Sequence, residues 1–285
     1  MTITPFDALA CPLDSAPLRR RGATWRCAAG HSFDIASEGY TNLLPVQQKR
    51  SRDPGDSKEM VAARRRHLDA SSYQPIAAAV ARVVLADAPA GGVLACLDAG
   101  CGEGYYLRQL AAAAAIADQS LSLLGLDISK WAVQSAAKQD KGKQANWVVG
   151  SNAKLPVLTG TLDRVLCLFG FPVYPEFARV LKPGGQLLQV DAGPDHLREL
   201  REIIYPTLKA ERSEGVQTPN DFAPLDSETL CYELEIANPE RIADLLLMTP
   251  HFFKAGAEGR TRAMALESLR LTVEIRLTRF VRMAG

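Results

Sequence analysis

Leu97-Asp98-Ala99-Gly100-Cys101-Gly102-Glu103-Gly104-Tyr105-Tyr106 closes an apolar run that begins at Val93, and Gly125-Leu126-Asp127-Ile128 closes a second one. The first segment reads as a strand that stops at Asp98 and passes, through three alternating glycines, into a helix over 104–117. Gly100, Gly102 and Gly104 carry no Cβ, so the backbone there can turn tightly and let a ligand come close. Asp127, at the end of the following strand, is placed to accept hydrogen bonds from both hydroxyls of a ribose. Together the two segments predict an adenosine-binding site in an α/β domain.

The glycine spacing narrows the ligand. A dinucleotide loop reads G-x-G-x-x-G and offers a helix N-terminus to a pyrophosphate. Here the pattern is D-x-G-x-G-x-G, with Asp98 and Glu103 in or beside the loop. Two carboxylates repel a pyrophosphate at short range and suit a ligand that carries an ammonium group. The pattern resembles motif I of the Rossmann-like methyltransferases, which implies S-adenosylmethionine as cofactor.

Composition sets the frame. At 285 residues the chain has room for one large domain and a smaller one, and its net charge of +1 leaves any basic surface local. No apolar run reaches the length of a membrane span, and the start lacks a basic and apolar leader. A cytoplasmic protein without a membrane partner is expected, so the six cysteines are read as thiols or metal ligands. Cys96, Cys101, Cys167 and Cys231 read as core residues.

Strands are expected at 93–98, 122–127, 145–149, 163–169 and 186–191, with helices at 104–117, 130–140, 174–181 and 195–210. Later β-rich stretches at 229–236 and 269–280, flanking a helix at 239–248, complete a seven-stranded mixed sheet. Ahead of it, the turn Asp53-Pro-Gly-Asp-Ser57 leads into a helix with Asp56 as N-cap and Glu59 as its capping-box partner. Tyr73 to Ala86 forms an amphipathic helix with Ile76, Val80, Val83 and Val84 on one side. The expected organisation is a small N-terminal module (1–45), a basic linker with lid helices (46–90) and a methyltransferase domain (91–285).

The N-terminal module carries a second chemical pattern. Cys11-Pro-Leu-Asp14 and Cys27-Ala-Ala-Gly-His31 have the spacing of a small zinc site, in a segment too poor in apolar residues to fold on its core alone. Asp14 stands where a cysteine is usual, and a carboxylate is uncommon in a structural zinc site. The alternative is a vestigial knuckle with Cys11 and Cys27 packed as small hydrophobes.

The run His31-Ser-Phe-Asp-Ile-Ala-Ser-Glu-Gly-Tyr-Thr-Asn-Leu-Leu-Pro-Val-Gln-Gln-Lys49, with Arg-Ser-Arg-Asp-Pro-Gly-Asp-Ser57 after it, resembles the bacterial 23S rRNA guanine-N1 methyltransferases. Lys182-Pro-Gly-Gly185, Gly193-Pro-Asp-His196 and Leu247-Met-Thr-Pro250 fit the same family, so the resemblance covers nearly the whole chain. It implies methylation of guanine N1 in a 23S rRNA hairpin, a homodimer, and a zinc module that helps recognise the hairpin. It also implies cofactor contacts at Tyr73, Gly102, Glu103 and His196, and metal ligation by Cys11, Asp14, Cys27 and His31. Within the family, the motif wording is nearer to the enzymes typical of Gram-negative bacteria than to the macrolide-resistance branch.

Lys49, Arg50, Arg52, Arg64, Arg65 and Arg66 outnumber the acids of their stretch and read as an RNA-phosphate patch, against the plainer reading of a solvated helix face. Trp25, Phe33 or Tyr40 could stack on a base, although aromatics in so small a module more often form its core. Asn152 is a candidate for the adenine. Asp191, Asp195 and His196, at strand ends, are candidates for a general base, with Asp191 and His196 retained as catalytic. Phe169, Phe171 and Tyr174 occupy the loop where a guanine drawn out of its stack could lie. Two other functions fit the residues: a small-molecule methyltransferase with a vestigial knuckle, and an rRNA-binding factor without catalysis.

Overall fold

The apolar runs pair as one sheet. In a computed structural model describing residues 3–49, 51–89, 91–207, 218–249, 251 and 254–284, five strands run parallel: β5 (Val93–Ala99), β6 (Ser120–Asp127), β7 (Ala145–Val149), β8 (Leu162–Leu168) and β9 (Leu181–Ala192). They are buried on both faces, which is why they read as continuous apolar runs. The late hairpin β10 (Phe222–Ile236) and β11 (Leu269–Arg282) adds two strands, with β11 antiparallel to β9. This is the expected seven-stranded mixed sheet of a Rossmann-like methyltransferase.

An eighth strand comes from the N-terminal region. β1 (Arg19–Arg21), β2 (Thr24–Arg26) and β3 (Ser32–Asp34) form a small antiparallel sheet, whereas β4 (Tyr40–Asn42) joins the large sheet parallel to β7. The segment before β1 lies along the same sheet, with Thr4 N–H donating to Leu121 O and Leu158 N–H to Ala8 O. Phe6, Leu9, Leu18, Trp25 and Leu43 share a core with Leu97, Leu124, Val148 and Val165. The N-terminal module is therefore seated on the catalytic sheet. Buried Trp25 and Tyr40 serve these cores and are not available to a base.

The helices fill the crossovers: α3 (Tyr105–Ile116), α4 (Lys130–Gln139), α5 (Tyr174–Val180) and α6 (Arg198–Ile204). α6 is shorter than expected because Tyr205 precedes Pro206 and is extended; 208–210 lie outside the described residues. α1 (Lys58–Asp69) and α2 (Gln74–Leu85) precede the sheet, and α2 buries Ile76, Val80, Val83 and Val84 as its periodicity requires. The cap of α1 differs from expectation. Ser57 accepts from Met60 N–H and donates to Glu59, leaving the Asp56 carboxylate to Arg64. α7 (Pro239–Met248), capped by Asn238, packs beside α1, and α8 (Ala257–Met264) follows. Cys231 is exposed rather than core, because it lies on the edge strand β10.

Candidate active site and metal centre

The loop after β5 is built as its sequence implies. Gly100 has φ +106°, and a Cβ added there meets no atom within 4 Å, so this glycine leaves open space. The third glycine has another purpose. A Cβ on Gly104 would come within 2.5 Å of the Trp147 ring, and Gly125 faces the same indole. Gly104 thus admits Trp147, whose Nε1–H is anchored on Asp140, and fixes the helix against the sheet.

Two carboxylates in this site differ in kind. Asp98 is 1% exposed and neither oxygen has a partner. Burial, aided by the Asp127 charge, pushes its carboxyl up to about 8. An unpartnered buried carboxyl is costly unless a cation arrives to meet it. Glu103 is also buried and raised by burial, but Arg108 and Gln139 bond its Oε2 at 2.9 and 2.6 Å, leaving Oε1 open. Asp127 accepts from Gly102 N–H at 2.9 Å and Ser129 N–H at 2.8 Å, which fixes the plane of its carboxylate. Burial raises it as well. Asn152 donates to Ala99 O at 3.3 Å, tying the loop after β7 to the end of β5, and its Oδ1 stays unpartnered. An orphaned carboxyl, an open glycine and an oriented acid at a strand end fit the ammonium, the methionine backbone and the ribose of S-adenosylmethionine.

Beside the loop, three rings converge. Tyr73, Phe169 and His196 stand 6.1–6.4 Å apart, centroid to centroid. They come from the start of α2, the end of β8 and the turn after β9. Phe169 holds φ +55° and is 40% exposed; a phenylalanine in the left-handed region is strained, which marks a position fixed by its surroundings. Next to it, a Cβ on Gly170 would stand 3.6 Å from the Ala99 carbonyl oxygen, so the end of β8 lies beside the glycine loop. His196 is 9% exposed, and its Nδ1 has no partner. Burial lowers it to about 4, so the imidazole is neutral near pH 7. Sequence reasoning missed His67, a fully buried ring packed edge-on to Tyr73 at 5.1 Å with neither nitrogen bonded. A histidine inside an amphipathic helix gives no signal of such a neighbour.

Asp191 faces elsewhere. The register pairs Asp98 with Leu166 and Leu166 with Leu188, three residues before Asp191, so Asp191 leaves the opposite face of the sheet. It accepts from Gln189, whose Oε1 receives the Tyr174 hydroxyl. Asp195 is held by Arg198 at the surface.

The basic run departs most from expectation. Arg66 makes two bonds to Asp244 of α7, and Arg64 pairs with Asp56 at 2.5 Å while overhanging the glycine loop. Neither belongs to a free basic face separate from the cofactor domain. Arg65 is exposed, 3.8 Å from Asp69, and lines a cleft with Arg108, Lys138 and Lys141. Arg52 is exposed, Lys49 is partly buried, and Arg50 lies outside the described residues. A stronger cationic surface lies on the small sheet: Arg19, Arg20, Arg21 and Arg26 are all exposed, and Arg19 faces Arg26 across β1 and β2. The three consecutive arginines were the available signal.

The four expected metal ligands converge. His31 Nδ1 lies 3.4 Å from both Cys11 Sγ and Cys27 Sγ and 3.1 Å from Asp14 Oδ2; Asp14 Oδ2 is 3.3 Å from Cys27 Sγ. All four ligand atoms fall within 4.8 Å of one another. Tetrahedral zinc with these ligand types separates them by roughly 3.3–3.8 Å, so the set fits one ion. Backbone hydrogen bonding from Ala16 lowers the Asp14 carboxyl to about 2, keeping it anionic.

Comparison with known proteins agrees with this geometry. Residues 9–52 match the zinc-ribbon family described as RlmA, N-terminal, and residues 96–185 match a methyltransferase domain. The 23S rRNA (guanine(748)-N(1))-methyltransferase of Streptomyces fradiae is 35% identical over 73% of this chain and 71% of its own length. A Micromonospora griseorubida protein, provisionally named for 23S rRNA guanine-N1 methylation, is 32% identical over 95% and 96% of the two chains. A Bacillus subtilis protein with a similar provisional name is 28% identical over 95% of each. These relatives lend no support to a leaning toward the branch typical of Gram-negative bacteria.

Proposed function

The chain belongs to the family of 23S rRNA (guanine-N1)-methyltransferases, and on that premise we propose how its own residues carry the reaction. It is an S-adenosylmethionine-dependent enzyme that methylates N1 of a guanine in 23S rRNA. The assignment of roles rests on one observation: the orphaned Asp98 carboxyl stands at the end of β5, and the Tyr73–Phe169–His196 rings gather at the end of β8, the strand paired with it. S-adenosylmethionine supplies a methyl group made electrophilic by its sulfonium sulfur, so the protein has chiefly to position the base and exclude water.

In this reading Asp98 meets the ammonium, Asp127 clamps the ribose, and the backbone at Gly100 and Gly102 lets the methionine end lie close. Glu103 Oε1 and Asn152 Oδ1 offer further acceptors, to the methionine end and the adenine. Phe169 stacks on a guanine drawn out of a hairpin loop, with Tyr73 closing the other side. As the methyl group passes from the sulfonium sulfur to N1, breaking the S–C bond and releasing S-adenosylhomocysteine, the N1 proton would be accepted by Nδ1 of neutral His196. Asp191 is the less favoured base, because Gln189 already occupies its carboxylate. Zinc at Cys11, Asp14, Cys27 and His31 holds the ribbon that carries the exposed arginines, and these, with Lys49, Arg50, Arg52 and Arg65, contact phosphates. The homodimer implied by the family resemblance has a candidate surface in β10, one of the two edge strands of the sheet.

The test is a map of reverse-transcriptase stops on 23S rRNA with and without the gene, because an N1 methyl blocks base pairing. A stop that vanishes in the deletion strain returns with the wild-type gene and, under this assignment, not with His196→Ala. An unchanged map would remove 23S rRNA as substrate; restoration by His196→Ala would remove the histidine.

A further inference from the structure

The methionine end of S-adenosylmethionine is a zwitterion, and the acids of the loop account for only its ammonium. Asp98, Glu103 and Asp127 are all anionic when ionised, and Arg108, the cation paired with Glu103, is spent on that side chain and on the Glu103 carbonyl. The carboxylate needs a cation on the ligand side of the loop. Arg64 overhangs that side: a Cβ placed on Gly102 would stand 3.4 Å from its Nη1. Its charge reaches Asp127 and Tyr73, lowering both carboxyl and phenol against the effect of burial.

The guanidinium is also held in place. Asp56 Oδ2 takes Nη1 at 2.5 Å, and Nη2 donates to the Met248 carbonyl at 3.4 Å, from α7. Asp56 is anchored in turn, since Ser129 Oγ donates to its carbonyl oxygen at 2.7 Å, two residues after Asp127. Those contacts use two of the five N–H groups of the guanidinium, so enough remain for a carboxylate. We infer that Arg64 binds the carboxylate of the cofactor's methionine end, with Asp56 as the residue that positions it. The inference rests on the S-adenosylmethionine reading of the loop and adds a residue which the glycine motif does not contain.

Two ligands separate this role from a structural one. S-adenosylhomocysteine carries the amino-acid end, whereas 5′-methylthioadenosine has the same adenosine and thioether without it. Calorimetric titration of the full chain with each should find Arg64→Ala weakening the first by roughly 10–100-fold, the range of a charge-assisted pair. Binding of the second should stay within about 3-fold. Arg64→Lys should recover part of the loss, and Asp56→Asn should show a smaller loss confined to S-adenosylhomocysteine. Equal weakening of both ligands, or of neither, overturns the inference. Failure of the wild type to bind S-adenosylhomocysteine overturns the cofactor reading itself, a separate outcome.

Discussion

At the scale of single residues, Asp98 has the clearest consequence. Its carboxyl is near 3.8 when unconstrained and about 8 in the fold, so between those values the folded chain holds a proton that the unfolded chain has released. Its contribution is complete below about pH 4 and is lost as pH rises through about 8. Urea unfolding at a series of pH values should therefore find Asp98→Asn gaining stability relative to wild type as pH rises through that window. The ammonium of a bound ligand favours the carboxylate, so S-adenosylhomocysteine binding at pH 7 should expel close to one proton, read from titrations in buffers of different ionisation enthalpy. Asp98→Asn should expel none; a mutant that still expels it would mean that the proton belongs to another group. The sequence made Asp98, Asp127 and the open Gly100 legible because a short motif and an acid spaced beyond it fix them at the ends of two paired strands. It could not separate Asp98 from Glu103, since only the fold reveals that Arg108 and Gln139 hydrogen-bond one and leave the other unpartnered.

The elements around the site act as a strap. The turn 53–57 lies against the start of α4: Gly55, at φ +85°, would place a Cβ 2.8 Å from that of Ser129, and Trp131 Nε1 donates to Asp53. Helix α1 continues over the loop and is pinned to α7 by Arg66 and Asp244. Periodicity and capping rules could find α1, but not the partners of its arginines, because a charge run looks the same whether it faces solvent, RNA or another helix. Gly55→Ala combines strain at positive φ with overpacking and should cost about 1–3 kcal/mol, read as a lower melting temperature with weaker S-adenosylhomocysteine binding. Arg66→Ala should cost about 1 kcal/mol, screened because the arginine is largely exposed, and leave rRNA affinity within about 2-fold. Undiminished stability with weaker RNA binding would return Arg66 to the RNA surface. The ribbon is an element of another kind, stabilised by few apolar contacts of its own, so Cys27→Ser should abolish zinc in elemental analysis and lower the temperature of a first unfolding step. A single transition with unchanged midpoint would mark the knuckle as vestigial.

For the whole molecule, a net charge of +1 gives no long-range field toward RNA, so recognition must come from local surfaces held in the right place. The ribbon is fixed to the catalytic sheet on several sides. β4 pairs with β7, Leu43 N–H donates to Val149 O, Ala10 N–H to Pro156 O, and Lys154 Nζ to Pro12 O. Those contacts join it to β7, which ends two residues before Ser151 and three before Asn152, near the cofactor loop. If Arg19, Arg21 and Arg26 grip RNA as proposed, the RNA is held by a module that is itself hydrogen-bonded to the catalytic sheet, which sets its distance from the Phe169 ring. Replacing these three exposed arginines by alanine removes no apolar packing, so melting temperature and S-adenosylhomocysteine affinity should match wild type. Affinity for an rRNA hairpin should fall, and the slope of log affinity against log salt should become shallower by roughly 2–3, near one unit per lost phosphate contact. Turnover at saturating RNA should fall less than affinity, because the arginines position the backbone without touching the reacting atoms. A folded triple mutant with an unchanged salt slope would place the RNA on another face, and the cleft lined by Arg65, Arg108, Lys138 and Lys141 would be the surface to replace next.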